Sequence, residues 1–318
     1  MIIVTIDIHS MGRAEAIRQA VLRGIALNRV PGLHFPGNLL GVSFDRVTSD
    51  DSLLTLEPDP HCLDADGQMN FGALALLADI AMAGTIRATL ERTTRLGTVT
   101  LSLQFSGAPR TGRLTANAQY DGFFQRGAGR LGMSRVMLSN ERGVVCTGTS
   151  TFMVLIPPPD IVLHPVPHRR RDDPPVTPIS RDALTREECA IERRAEAALE
   201  EGDGFLDRFW GYVTHRTEHG AGGVMKNGPH NGNRVGHAQG GILMGFAAAT
   251  AQAALPANWA LSSINAAYIS PGEGAALRAR SRIVHHGRLT TVIHTQIKGK
   301  NKRIVLDVTT NHLRCSDA

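Results

Sequence analysis

Two stretches of this chain read as helices that are apolar on nearly every face: NFGALALLADIAMAGTIRATL (70–90) and QGGILMGFAAATAQAA (239–254). Such a helix has no side to offer to water and has to be buried all round. After the first come TVTLSLQF (98–105), GRLTANAQYDGFF (112–124), GRLGMSRVMLSN (129–140) and GVVCTGTSTFMVL (143–155). After the second come LSSINAAYIS (261–270), AALRARSRIVHHG (275–287), LTTVIHTQIKG (289–299) and KRIVLDVTTNH (302–312). Alternation with turn residues between the segments predicts antiparallel meanders. Polar residues at alternate positions of 115–120 and 277–284 fit sheets solvated on one face. A short strand is expected before each helix, at 40–47 and near 210–215. The order strand, loop, apolar helix, meander therefore occurs twice, and a sheet curled round each helix supplies the burial it needs.

The halves meet at 157–178, PPPDIVLHPVPHRRRDDPPVTP, which holds half of the sixteen prolines and reads as a semi-rigid linker. Each half has a lead-in helix, over about 13–28 and about 181–201, the second with Ser180 as its N-cap and Gly202 as its stop. The expected organisation is a lead-in region at 1–36, a first domain at 37–156, a linker at 157–180, a second lead-in at 181–205 and a second domain at 206–318.

Bulk properties narrow the function. The net charge is +5, yet aromatics are only 5% and the one basic run, 168–171, is followed at once by Asp172 and Asp173. Nucleic-acid binders usually concentrate charge in runs with aromatics between them, so the run reads better as solvated linker, and scattered arginines are left to meet a ligand's phosphates. No stretch reaches the ~20 uncharged apolar residues of a membrane span, and the N-terminus does not read as a secretory signal. Cys62, Cys146, Cys189 and Cys315 are far apart with no CxxC, which argues against zinc and disulfides and fits a reducing cytoplasm.

The two helix starts carry related motifs. The second half reads Asn233-x-x-Gly236-x-x-Gln239-Gly240-Gly241, and Ala248 stands seven residues past Gly241. The first reads Asp64-x-x-Gly67-x-x-Asn70-Phe71-Gly72, and Asp79 stands seven past Gly72. This resembles the phenylacetate-pathway-type branch of hotdog acyl-CoA thioesterases, within the 4-hydroxybenzoyl-CoA thioesterase-like superfamily. That branch has Asn-x-x-Gly-x-x-His-Gly-Gly, an Asp in the helix and a Ser or Thr on the next strand. The resemblance spans about 37–156 and 206–314. Aligning Phe105 and Tyr268 with the aromatic that closes that strand puts Thr98 at the Ser/Thr position of the first half and Leu261 at that of the second. Thr100, two residues on, is the fallback.

The resemblance implies an α+β fold of two tandem hotdogs, each a curved antiparallel sheet around a long helix, packed as an intramolecular pair. It implies one composite site: Asp79 and Thr98 from the first half, Asn233, Gln239 and Gly240 from the second. The reciprocal site lacks its carboxylate. Asp79 is the expected general base or nucleophile, and the Gly240 N–H the oxyanion donor at a helix start. Asn70, Phe71, Gly72, Gly241 and Thr100 are expected to line the substrate site. Arg126, Arg130, Lys300 and Lys302 are candidates for CoA phosphates. The partner is an acyl-CoA; no cofactor, metal, nucleic acid or membrane is expected, and the chain is a monomer of two hotdogs or a homodimer.

Each residue also has a plainer reading. Asp79 is bonded to a neighbouring polar group, Thr98 is an ordinary strand residue, Asn233 a turn residue, and Gln239 a helix cap. Gly240 and Gly241 permit tight helix packing. At the level of function, the substitutions Gln239 and Phe71 keep open a non-catalytic acyl-CoA or lipid-binding module. A hydratase is a third class, but its Asp-x5-His type of motif is missing at the helix start.

Overall fold

The structure of the protein is a computed structural model that describes residues 12–90, 94–127, 129–156, 162–200 and 204–315. Residues 1–11, the start of the proline-rich segment at 157–161 and the expected helix stop Gly202 lie outside the described residues.

The first half runs α1 (Arg13–Asn28), α2 (Phe35–Leu40), β1 (Ser43–Val47), β2 (Asp51–Leu56), α3 (Phe71–Ala88), β3 (Arg95–Phe105), β4 (Leu114–Arg126), β5 (Gly129–Asn140) and β6 (Gly143–Leu155). The second runs α4 (Arg186–Glu200), α5 (Phe205–Trp210), β7 (Tyr212–Thr217), β8 (Gly220–Lys226), α6 (Gly240–Gln252), β9 (Trp259–Tyr268), β10 (Ala276–His286), β11 (Thr290–Lys298) and β12 (Ile304–Arg314). The twelve strands among the described residues form one sheet, ordered β1-β2-β4-β5-β6-β3-β9-β12-β11-β10-β8-β7. Read inward from either edge, the order is the same with six added to each strand number. The seam is β3 against β9, antiparallel, with Leu101 opposite Ala266 and Leu103 opposite Ile264.

Burial follows the alternation. Leu114, Ala116 and Ala118 of β4 and Leu277, Ala279 and Ser281 of β10 point inward, while Arg278, Arg280 and Arg282 face out. α3 packs on β2, β4, β5 and β6, and α6 on β8, β10 and β11. Of the described helices, only α3 is long and apolar enough to cross a membrane, and here it is the buried core helix of the first half. The two core helices touch each other. A Cβ on Gly241 would fall 2.5 Å from the backbone of Leu76, and one on Gly245 3.0 Å from the Cα of Gly72. Glycine is what lets α6 lie this close to α3.

Three details differ from expectation. The stretch 40–47 is the end of α2 followed by β1, and a further strand, β2, lies where a loop was expected. Glycine-rich β8 likewise reads as loop, yet a Cβ on Gly223 would meet Thr250 Oγ1 at 2.8 Å and the Phe246 ring at 3.0 Å. Those glycines make room for α6 rather than a turn. The second lead-in begins with a single 3-10 turn at Arg181–Ala183, and its α-helix starts only at Arg186. Its start is set by a capping box: the Glu188 N–H donates to Thr185 Oγ1 at 3.3 Å, and the Thr185 N–H to Glu188 Oε2 at 2.7 Å.

The described part of the proline-rich segment is not free of the fold. The Phe44 N–H donates to the Arg169 carbonyl at 2.8 Å, and the His168 ring stacks on Phe44 at 5.1 Å.

Candidate active site

Asp79 sits two turns into α3, at 7% exposure in a helix whose other buried residues are almost all apolar. A carboxylate there needs hydrogen-bond donors, and it has one on each oxygen. Thr98 Oγ1, from β3, donates to Oδ1 at 3.0 Å. Gln239 Nε2, from the far half of the chain, donates to Oδ2 at 2.8 Å. The orientation of the Gln239 amide is fixed by its other end. Gln239 is the N-cap of α6, and its Oε1 accepts the Ile242 N–H at 3.0 Å. The oxygen is thus committed to the cap, which leaves the NH2 for Asp79. Burial pushes the Asp79 carboxyl up to about 6, against the opposing pull of the Thr98 and Gln239 donors.

Gly240 completes the cluster. A Cβ there would lie 3.5 Å from Asp79 Oδ2, 3.5 Å from Thr98 Oγ1 and 3.4 Å from the Tyr268 ring. The bare Cα therefore faces the acid, and its N–H, first in α6, has no partner four residues back in the helix. The Tyr268 hydroxyl donates to the Gly240 carbonyl at 2.8 Å and clamps the helix start. In the sequence Tyr268 stands only as the aromatic that closes its strand. Its clamping role had no signal there, because the contact joins residues 28 apart.

The remaining candidates separate. Asn233 lines the cavity in front of Asp79, but its Oδ1 is spent on the Val235 and His237 N–H groups at 3.0 and 3.1 Å. It shapes the loop. Thr100 faces away: the register shifts between Thr98 and Thr100, and the Thr100 hydroxyl bonds that of Thr151 at 2.8 Å. The irregularity breaks the two-residue alternation that placed both threonines on one face. Gly241 packs against α3. Asn70, Phe71 and Gly72 do not line that cavity. Asn70 caps α3 through Oδ1 and gives its NH2 to Asp64 and Asp207 at 2.7 and 2.8 Å. Phe71, at the position equivalent to Gly240, rests its ring on Phe105 at 5.7 Å. Buried Ala248 stands where the second acid would be.

The Arg130 guanidinium covers the Phe123 ring at 3.6 Å, in the β4–β5 hairpin. Lys300 lines a small hollow with Ser270, Pro271 and Arg303.

The cluster stands at a neck. An inner cavity of about 940 Å³, solvent at its mouth included, is lined by Asp79, Ile80, Ala83, Gly84 and Arg87 of α3, by Phe44, Leu96 and Phe152, and by His34 and Arg234. An outer groove of about 790 Å³ runs past Met153, Leu155, Leu243, Tyr268, Ile269 and Pro271. Arg95, Gly97, Thr98, Asn233 and Gly240 line both. Leu163, Val166 and His168 of the proline-rich segment also wall the inner cavity. Proline content marks that segment as a spacer in the sequence and carries no sign of this role.

Residues 229–312 match the family model of the acyl-CoA thioesterase N-terminal domain. A hotdog-fold protein of unknown function from Alicyclobacillus acidocaldarius superposes with a TM-score of 0.54 at 10% identity, over 90% of this chain and 99% of that one. An acyl-ACP thioesterase from Bacteroides thetaiotaomicron superposes with a TM-score of 0.50 at 10% identity, over 82% of this chain and 97% of that one. A search of curated proteins returns no match. The fold thus defines the class, a hotdog protein. Within that class the second half, at 229–312, carries an acyl-CoA thioesterase domain, the domain of a thioester hydrolase.

Proposed function

We propose that the chain is a pair of tandem hotdog units, 37–156 and 206–318, which together make one working site that hydrolyses an acyl-CoA to the free acid and CoA. The observation that carries this reading is the 2.8 Å bond from Gln239 to Asp79, which ties the neck carboxylate to the other half of the chain. The repeated strand order supports the pairing.

Both Asp79 oxygens are held by donors, so the carboxylate is pinned rather than free to swing onto a carbonyl carbon. That favours general-base catalysis over direct attack. Asp79 takes a proton from water, and the water oxygen attacks the thioester carbon. Negative charge on the carbonyl oxygen falls to the Gly240 N–H at the start of α6. Collapse expels the CoA thiolate, which recovers a proton from Asp79. The Thr98 hydroxyl can accept a hydrogen bond from the water, and Gln239 has a second N–H to orient it.

Release of free thiol from a panel of acyl-CoAs tests this. Asp79→Asn is expected to lower kcat at least ~100-fold, the usual scale for a lost general base. Gly240→Pro is expected to do the same; proline is tolerated at the first position of a helix, so the change removes the N–H without breaking α6. Ala248→Asp is expected to leave activity largely intact. Full activity in Asp79→Asn, or no hydrolysis by the wild type, overturns the reading.

A further inference from the structure

The inner cavity carries charge that thioester hydrolysis alone does not require. Asp79, Ala83 and Arg87 follow at four-residue steps and line it as one stripe of α3. Eight residues put Arg87 about 12 Å along the helix from Asp79. Arg234, from the loop before α6, lines the same cavity. Burial, with the charge of Arg234 beside it, pulls Arg87 down to about 10. Neither arginine is ion-paired among the described residues. Arg87 donates to the Thr94 carbonyl at 3.1 Å, and Arg234 donates to the His164 carbonyl. Among the described residues, Asp79, at the neck, is the only carboxylate lining this cavity.

His34 adds a neutral donor. Its Nδ1 accepts the Gly37 N–H at 3.1 Å, and burial pushes its pKa down to about 4, so near neutral pH the proton is on Nε2. The cavity's apolar walls include Phe44, Ile80, Leu96 and Phe152; a third arginine, Arg95, lines it where it joins the outer groove and lies 3.4 Å from His237 Nδ1. A plain hydrocarbon tail would match those walls but offer nothing to two neighbouring guanidinium groups, Arg87 and Arg234, that have no carboxylate partner among the described residues. The CoA phosphates have a different place to go. The outer groove shares Ser270 and Pro271 with the hollow that holds Lys300 and Arg303.

We propose that the inner cavity selects acyl groups ending in a carboxylate, so that the substrates are CoA half-thioesters of dicarboxylic acids, with Arg87 and Arg234 as the specificity-determining residues. The proposal rests on the thioesterase reading above. It adds a direction to it: acyl group inward along α3, CoA outward past Tyr268.

The test is thiol release from suberyl-CoA and octanoyl-CoA, which have the same carbon chain, and from the N-acetylcysteamine thioesters of the same two acids. The full chain is expected to favour suberyl over octanoyl by at least tenfold in kcat/KM, mainly through KM, with either carrier. Arg87→Met and Arg234→Met are each expected to lower that ratio at least tenfold, and Arg87→Lys to keep part of it. Each ratio is taken on one preparation, so a loss of folded protein cancels. A wild-type ratio near one, or a ratio that neither methionine variant changes, overturns the proposal and leaves the thioesterase reading standing. An arginine effect equal for both CoA thioesters and absent with N-acetylcysteamine assigns the arginines to the CoA phosphates, which also overturns it. If no thioester is hydrolysed, the thioesterase reading fails and thermal shift decides this proposal. A larger Tm rise with suberyl-CoA than with octanoyl-CoA, lost in Arg87→Met, supports it; equal rises overturn it.

Discussion

Asp79 is held where burial disfavours its charge, whereas the proposed base role needs it ionised. Its folded-state carboxyl titrates at about 6, above the ordinary carboxylate range, so folding favours the protonated form. Stability from this group is fully present below about pH 4 and is lost as pH rises through about 6. The ionised carboxylate then costs the fold about 3 kcal/mol. Asp79→Asn is therefore expected to raise Tm at pH 7.5 while abolishing activity, and to raise it less at pH 5; a Tm that falls equally at both pH values contradicts this. The sequence marked Asp79 because an acid in an otherwise apolar helix is conspicuous. Gln239 and Thr98 were reachable only by comparing the two halves with a motif. Arg87 gave no signal of its own: a basic residue in the last turn of a helix ordinarily serves the helix dipole, and only the cavity shows which way it faces.

At the scale of elements, the spacing of apolar residues made the two core helices and eight long strands legible. Local pattern failed where tertiary contact decides the residue type. Gly222 and Gly223 look like loop in sequence, and Gly223 is small because α6 crosses the strand there. Thr98 and Thr100 look equivalent until the irregularity between them turns one to the acid and the other to Thr151. Gly241 looked like part of the substrate site and is the contact point of α6 with the Leu76 backbone. Gly241→Ala would place a methyl 2.5 Å from that backbone. It is expected to destabilise the protein by about 1–3 kcal/mol, the usual range for overpacking, read as a lower midpoint in denaturant with an unchanged slope. A loss below half a kcal/mol would mean that the helices part easily.

For the whole molecule, the seam between β3 and β9 and the contact between α3 and α6 bring residues 160 apart into one cluster. On this account the two halves divide the roles: one supplies the acid, the other the cap, the oxyanion donor and the tyrosine clamp. Because both come from one chain, mixing Asp79→Asn protein with Gln239→Leu protein is expected to give no more thiol release than the two give separately. Recovery on mixing would place the site between chains. The most direct test of the composite site is the pH profile of kcat/KM for Gln239→Leu beside that of the wild type. A midpoint reports the acid itself and is insensitive to the fraction of folded protein. The wild-type profile should rise through about pH 6 with ionisation of Asp79. Removing the Gln239 donor should lower the plateau and move the midpoint upward, because the ionised carboxylate loses one of its two partners. An unchanged midpoint and plateau would contradict the account.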